Sequence, residues 1–101
     1  MQQAKQQMQQ TIQTIIRKIH KGCVFDAHYV ISRLIKDYSD VYLAFASKVN
    51  ASSEKTKVVH RMVAEAIDTL DARGIISRQN FESWSENIHH KSSACTCWRK
   101  L

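Results

Sequence analysis

The stretch NIHHKSSACTCWRKL, residues 87–101, holds side chains that could bind a metal ion or exchange electrons. Adjacent His89 and His90 precede Cys95 and Cys97, and zinc prefers imidazole and thiolate ligands. On a β-strand, however, two cysteines one residue apart place their sulfurs about 6.5–7 Å apart. Sulfurs bound to one tetrahedral zinc lie nearer ~4 Å, and a disulfide requires a shorter separation still. We therefore interpret this stretch as a strand and expect no metal and no cofactor; a zinc-stapled tail is the alternative.

The rest of the chain offers little for catalysis. Cys23 has His20 and Lys21 nearby, the kind of basic neighbours that accompany reactive thiols, but no oxyanion donors accompany this cluster. His28 and His60 are interpreted as capping or solvent-facing side chains. The sequence has no glycine-rich phosphate loop, paired-carboxylate signature or serine elbow. We expect a protein that is not an enzyme.

The composition indicates the class of partner. A chain of 101 residues has room for one domain. Fifteen Lys and Arg against nine Asp and Glu give a formal charge of +6, which favours polyanionic partners, nucleic acid first. No apolar run approaches the ~18–20 residues of a membrane span, so we expect no membrane association. Three cysteines and no apolar leader in MQQAKQQMQQ predict reduced thiols and a cytoplasmic location.

Residues 2–21 are predicted to form the first helix. Five apolar residues recur at three- and four-residue spacing, the pattern of an amphipathic helix: Met8, Ile12, Ile15, Ile16 and Ile19. Gly22 then supplies the stop. The apolar stripe either faces the core or pairs two copies in a homodimer, because Met8, Ile12, Ile15 and Ile19 step by four, three and four as in a short heptad seam.

Three more helices and two strands are predicted beyond Gly22. Asp26 caps a helix over 27–37, with Phe25 and Val30 as a hydrophobic staple. Ser39 or Asp40 caps a short helix over 41–48, and a turn over 50–53 leads into a helix over 54–73. Gly74 ends that helix. Two β-prone runs follow, around 75–84 and over 94–98, joined by a polar link over 85–93.

Trp98 is expected to anchor the second strand to the helices. It shares one strand face with Ala94 and Thr96, whereas Cys95, Cys97 and Arg99 share the other; the alternative is the reverse orientation, with the cysteine face against the helices. The remaining large aromatic residues, Tyr42, Phe81 and Trp84, are interpreted as core and hairpin packing rather than as base-stacking platforms. The predicted fold class is therefore mainly α with a small C-terminal β-hairpin.

The segment TLDARGIISR, residues 69–78, resembles a junction found in winged helix-turn-helix proteins. In that superfamily the recognition helix ends on a leucine, a glycine turns the chain and two aliphatic residues open the wing. Leu70, Gly74, Ile75 and Ile76 occupy those positions here. The resemblance extends from about residue 25 to 99. It implies one winged-helix-like domain over 1–101, with about four helices, a two-stranded wing, and residues 1–21 as an added dimerisation element.

The resemblance also implies a site and a function. The helix over 54–73 would enter the major groove with the short helix before it as its partner. The implied DNA-contacting residues on and before this helix are Ser53, Lys55, Thr56, Lys57, His60 and Arg61. Lysines suit phosphates and Arg61 suits a guanine edge. The implied wing contacts are Arg78, Lys91, Arg99 and Lys100. The expected function is a small protein that binds double-stranded DNA, as a transcriptional regulator or a DNA-associated accessory factor.

Acidic residues support a different function for the same fold. Glu65, Asp68 and Asp71 lie late in the candidate recognition helix, and Glu82 and Glu86 lie in the wing. Winged helices also bind proteins, and the fold alone does not decide between partners. The alternative is therefore an interaction module, an inhibitor or adaptor, that does not bind DNA.

Overall fold

The computed structural model describes residues 2–49, 55–86 and 92–101, and these are mainly helical with a small antiparallel sheet. Four helices span Gln2–Arg17 (α1), Ala27–Asp37 (α2), Ser39–Lys48 (α3) and Lys55–Asp68 (α4). Three strands span Val24–Asp26 (β1), Ile76–Glu86 (β2) and Ser92–Lys100 (β3). None of the described helices is both long and apolar enough to cross a membrane.

The helix α2 has the predicted bounds because its start is fixed locally. The Asp26 carboxylate accepts a hydrogen bond from the Tyr29 backbone N–H at 2.9 Å, as an N-cap does. Tyr38 ends α2 and is also the N-cap position of α3. The prediction of a cap at Ser39 or Asp40 was wrong: α2 and α3 follow each other so closely that Ser39 is already helical.

The helices α1 and α4 are shorter than predicted because each gives way to i→i+3 hydrogen-bonded turns before Gly22 and Gly74, respectively. In α4 the last regular residue is Asp68, and a 3₁₀ turn over Asp71–Arg73 follows. Gly74, at φ +73°, ends that turn in the left-handed conformation that glycine adopts most cheaply. The α1 helix ends at Arg17 rather than at residue 21. Gly22 instead donates its N–H to the Lys100 carbonyl at 2.8 Å, at the edge of the sheet.

The sheet contains one strand more than the predicted hairpin. The short strand β1 pairs antiparallel with β3, with Phe25 opposite Trp98, so the strand order is β1-β3-β2. The hairpin strands are also longer than predicted, since Ser85 pairs with Ser93 where a polar loop was expected. Residues 87–91, including His89, His90 and Lys91, lie outside the described part of the chain, as do residues 50–54.

The core lies between the helices and the base of the hairpin. The centre of this core is formed by α1, α2 and α4, through side chains that are almost fully buried: Met8, Ile12, Ile16, Val30, Leu34, Val59, Val63 and Ile67. Trp98 is 1% exposed and its indole N–H reaches Asp68 of α4, as expected of a residue that anchors the strand to the helices. It also packs on Phe25 of β1 with ring centroids 5.9 Å apart, a contact that was not predicted. The apolar stripe of α1 is therefore occupied within its own chain.

Candidate functional site

The exposed face of α4 changes sign along its length. Lys57, Arg61 and Glu65 follow one another at four-residue spacing and are all exposed. The buried side chains Val59, Val63 and Ile67 define the opposite face. The N-terminal half of the exposed face is therefore basic, with Lys55 also exposed nearby, and the C-terminal half is acidic.

Two other predicted contacts of α4 are partly covered by the fold. Thr56 is half-buried. His60 lies with its Nε2 3.0 Å from the Tyr42 hydroxyl, and the two rings are 6.0 Å apart. Burial raises the pKa of the Tyr42 phenol, so this group stays protonated at neutral pH. His60 therefore joins α4 to α3, the predicted partner helix.

Three of the predicted wing residues lie together, beside the C-terminal end of α4 rather than its basic end. The Arg78 guanidinium pairs with the Asp68 carboxylate at 3.2 Å, and Arg99 donates to the Gly22 carbonyl at 3.0 Å. Lys100 is hydrogen-bonded through its backbone to Gly22 and Cys23. These three positions lie at the base of the hairpin; Arg99 and Lys100 are about 23–27 Å along β3 from its start. Ser53 and Lys91 lie outside the described residues.

The distal half of the hairpin lies beside the basic end of α4. A cleft of about 320 Å³ is lined on one side by Lys57, His60 and Ala64 and on another by Glu82, Ala94 and Thr96 of the hairpin. Trp84 pairs with Ala94, so it occupies the same hairpin face as Thr96 and Trp98. At this distance from the base no described element covers it, and it is 75% exposed.

The exposure of Trp84 and Phe81 corrects a prediction. Both were interpreted as packing residues, but Phe81 is 52% exposed, whereas Tyr42 and Trp98 are buried. Phe81 lies in a β-bulge, since Arg78 pairs with Trp98 and Glu82 with Thr96, leaving residues 79–81 opposite Cys97 alone. The bulge carries an aromatic side chain away from the core, which sequence alternation does not reveal.

A second group of side chains meets where α2 begins. Asp26, His28 and Cys95 each offer one metal-ligand atom, and these atoms all lie within 4.8 Å of one another. The β2 serines contact two of them: Ser83 Oγ donates to Asp26 Oδ2 at 2.8 Å, and Ser85 Oγ lies 2.5 Å from His28 Nδ1. We name Asp26, His28 and Cys95 the strand–helix cluster. Sequence reasoning missed it because β1 and β3 become neighbours only in the folded sheet.

The protonation of the strand–helix cluster follows from its surroundings. Partial burial alone would raise the pKa of Asp26, but hydrogen bonds from Ser85, the Tyr29 N–H and Ser83, together with His28, lower it overall. Burial raises the pKa of the Cys95 thiol, although the backbone N–H groups of His28 and Ala27 act against this. At neutral pH the cluster thus holds a carboxylate and a protonated thiol.

Of the other two thiols, Cys97 lies next to this cluster, since it pairs with Asp26 across β1 and β3. Burial also raises the pKa of the Cys97 thiol, whose S–H donates to the Phe81 carbonyl at 3.2 Å. Cys23 is exposed, and none of the three cysteines is in a disulfide.

The chain therefore presents two candidate sites, the basic end of α4 beside the hairpin and the strand–helix cluster. No protein-family model matches this sequence, and neither a curated protein nor a solved structure matches it significantly.

Proposed function

We propose that this chain is a small cytoplasmic winged helix-turn-helix protein that binds double-stranded DNA as a transcriptional regulator or accessory factor. The observation that supports it most is the position of α4. This helix exposes Lys57 and Arg61 on one face and leads into a hairpin whose distal half flanks the same end. The element order, with a hairpin directly after α4, also supports the proposal.

In this proposal the N-terminal half of α4 lies in the major groove. Lys55 and Lys57 neutralise phosphates and set the register of the complex without reading sequence. Arg61, one turn further along the same face, forms bidentate hydrogen bonds with a guanine edge. Glu65 marks the end of the contact, because a carboxylate facing phosphates is repelled. Asp68 stays with the protein, bound to Arg78 and to the Trp98 indole N–H at 3.0 Å.

Replacing Lys57 and Arg61 by alanine tests the proposed interface. Fluorescence anisotropy with a labelled duplex should show that Lys57→Ala flattens the salt dependence of binding by about one unit of log–log slope. Arg61→Ala should cost about 1–3 kcal/mol on a selected sequence and much less on a random one. Lys36→Ala, an exposed lysine late in α2, removes the same charge elsewhere and is the matched control.

The DNA proposal fails if the folded protein retards no duplex at low salt. It also fails if Lys36→Ala weakens binding as much as Lys57→Ala. DNA would then be attracted by the net positive charge of the protein and not by a site on α4. Binding that is unchanged in both α4 variants would exclude α4 as the recognition helix.

A second candidate function is a winged-helix module that binds another protein as an inhibitor or adaptor. Exposed Trp84 and Phe81 favour it, because aromatic residues are enriched at the centres of protein interfaces. The acidic half of α4 and Glu82 give this surface a mixed charge.

The accessibility of Trp84 distinguishes the two functions. Trp84 is exposed and Trp98 is buried, so acrylamide quenching of the native protein reports mainly on Trp84. If the hairpin contacts DNA, saturating duplex should lower the slope of the quenching plot. The Trp84→Phe variant shows the residual signal of Trp98 and serves as the control. A slope that DNA leaves unchanged supports the protein-partner function for this surface.

A further inference from the structure

We propose that Asp26, His28 and Cys95 bind one divalent transition-metal ion of the zinc type, independently of any DNA binding. The basis is the convergence of three different ligand types from three elements. Asp26 ends β1, His28 lies in the first turn of α2 and Cys95 lies on β3. The zinc-stapled tail considered from the sequence would use His89, His90, Cys95 and Cys97. The set proposed here shares only Cys95 with it.

The separations suit one ion after a small adjustment. The three ligand atoms lie within 4.8 Å of one another without a metal. Around a tetrahedral zinc, with bonds of about 2.0–2.3 Å, ligand atoms lie roughly 3.3–3.8 Å apart. Small rotations of the three side chains can bring the ligand atoms about 1 Å closer together. The backbone that carries them is held by the hydrogen bonds of the sheet and of α2.

Two serines of β2 contact the ligand side chains. Ser83 Oγ donates to Asp26 Oδ2 at 2.8 Å, and Ser85 Oγ lies 2.5 Å from His28 Nδ1. Metal-binding carboxylates and imidazoles in proteins are oriented by such outer partners. The Asp26 carboxylate also accepts a hydrogen bond from the Tyr29 N–H, so each of its two oxygens has a hydrogen-bond partner that orients it.

The charges and the softness of the ligands indicate which metal. A carboxylate and a thiolate together neutralise a dication, and a neutral imidazole completes three ligands. The thiolate favours Zn²⁺ or Co²⁺ over Mg²⁺ and Ca²⁺, which prefer oxygen ligands. On binding, the Cys95 S–H bond breaks, the sulfur lone pair forms the bond to the metal and the proton passes to buffer. The positive end of the α2 dipole opposes the ion weakly.

The fourth position opens to solvent. Asp26 and His28 are half-exposed whereas Cys95 is buried, so the ion would take a water on its outer side. Cys97 is engaged with the Phe81 carbonyl and is not needed as a ligand. His28 and Cys95 also line the cleft that reaches Lys57 and His60. A bound ion would thus fasten the hairpin to the start of α2, next to the basic end of α4.

Cobalt titration of the metal-free chain of residues 1–101 tests this site. With thiols kept reduced by a phosphine, Co²⁺ should bind at one equivalent and give a thiolate-to-cobalt charge-transfer band, which Zn²⁺ then removes. Cys95→Ser should abolish the band. His28→Ala and Asp26→Asn should weaken binding by more than the ~10–100-fold typical of an outer partner, and Ser85→Ala by about 10-fold. Asparagine at position 26 keeps the helix cap, so the fold is retained.

Two matched controls separate this site from others. Cys97→Ser alters a buried thiol on the same strand, and the double variant His89→Asn/His90→Asn removes the tail histidines; both should bind Co²⁺ as the native protein does. Circular dichroism confirms the fold of each variant, and Asp26→Asn and His28→Ala decide the matter should Cys95→Ser not fold. An unchanged band in Cys95→Ser, equal loss in the His89/His90 variant, or no binding by the folded native protein would each overturn the proposal.

Discussion

Replacing Trp98 with alanine is expected to lower the free energy of unfolding by about 3–5 kcal/mol, which is a large part of the ~5–15 kcal/mol of a typical domain. The side chain is 1% exposed and stacks against Phe25 on the neighbouring strand. Its indole N–H donates to the Asp68 carboxylate at the end of α4. One residue thus connects β1, β3 and α4, and alanine would leave a cavity between all three.

Matched variants separate the contributions of Trp98. Trp98→Phe keeps an aromatic ring beside Phe25 and loses the N–H donor, so it should cost only about 1–2 kcal/mol. Trp84→Ala removes the same side-chain type from an exposed position and should change stability by less than about 0.5 kcal/mol. Urea denaturation followed by far-UV circular dichroism measures all three. Similar losses for Trp98→Ala and Trp84→Ala would contradict the packing described here.

The parts of the fold that depend on neighbouring residues were predictable from the sequence. The start of α2 follows from Asp26 as its N-cap. The helical segment that follows α4 ends at Gly74, because glycine is the residue best suited to positive φ. The apolar faces of α1 and α4 follow from helical spacing. In each case the deciding residues lie within two helical turns of the structure that they determine.

The parts that depend on distant pairing were not predictable. The strand β1 has three residues, too few for a pattern, and exists because β3 lies beside it. Trp84 and Trp98 share a hairpin face. Trp98 is buried because the helices cover the base of that face, and Trp84 is exposed because they do not extend to its distal half. The strand–helix cluster likewise requires the register that places Asp26 opposite Cys97 and Ser83 opposite Cys95. The spacing of Cys95 and Cys97 is visible in the sequence, but the proximity of Cys95 to Asp26 and His28 is not.

Replacing Ile16 with alanine is expected to cost about 2–5 kcal/mol of unfolding free energy, independently of protein concentration. Ile16 is fully buried in the apolar stripe of α1, beside the residues that were interpreted as a dimer seam. Met8, Ile12 and Ile15 of that stripe are buried as well, by the chain's own core. A residue whose environment is intramolecular loses the same stability in a dilute and a concentrated sample.

The concentration dependence decides which interpretation of α1 holds. If α1 paired two copies through this stripe, the stability of the native protein would rise with protein concentration by mass action, and Ile16→Ala would reduce that rise. Denaturation at two concentrations 100-fold apart, with sedimentation equilibrium on the same samples, measures both effects. Gln10→Ala, on the exposed side of α1, is the matched control and should change neither. Because the chain's own core already covers Met8, Ile12, Ile15 and Ile16, we expect the same unfolding free energy at both concentrations.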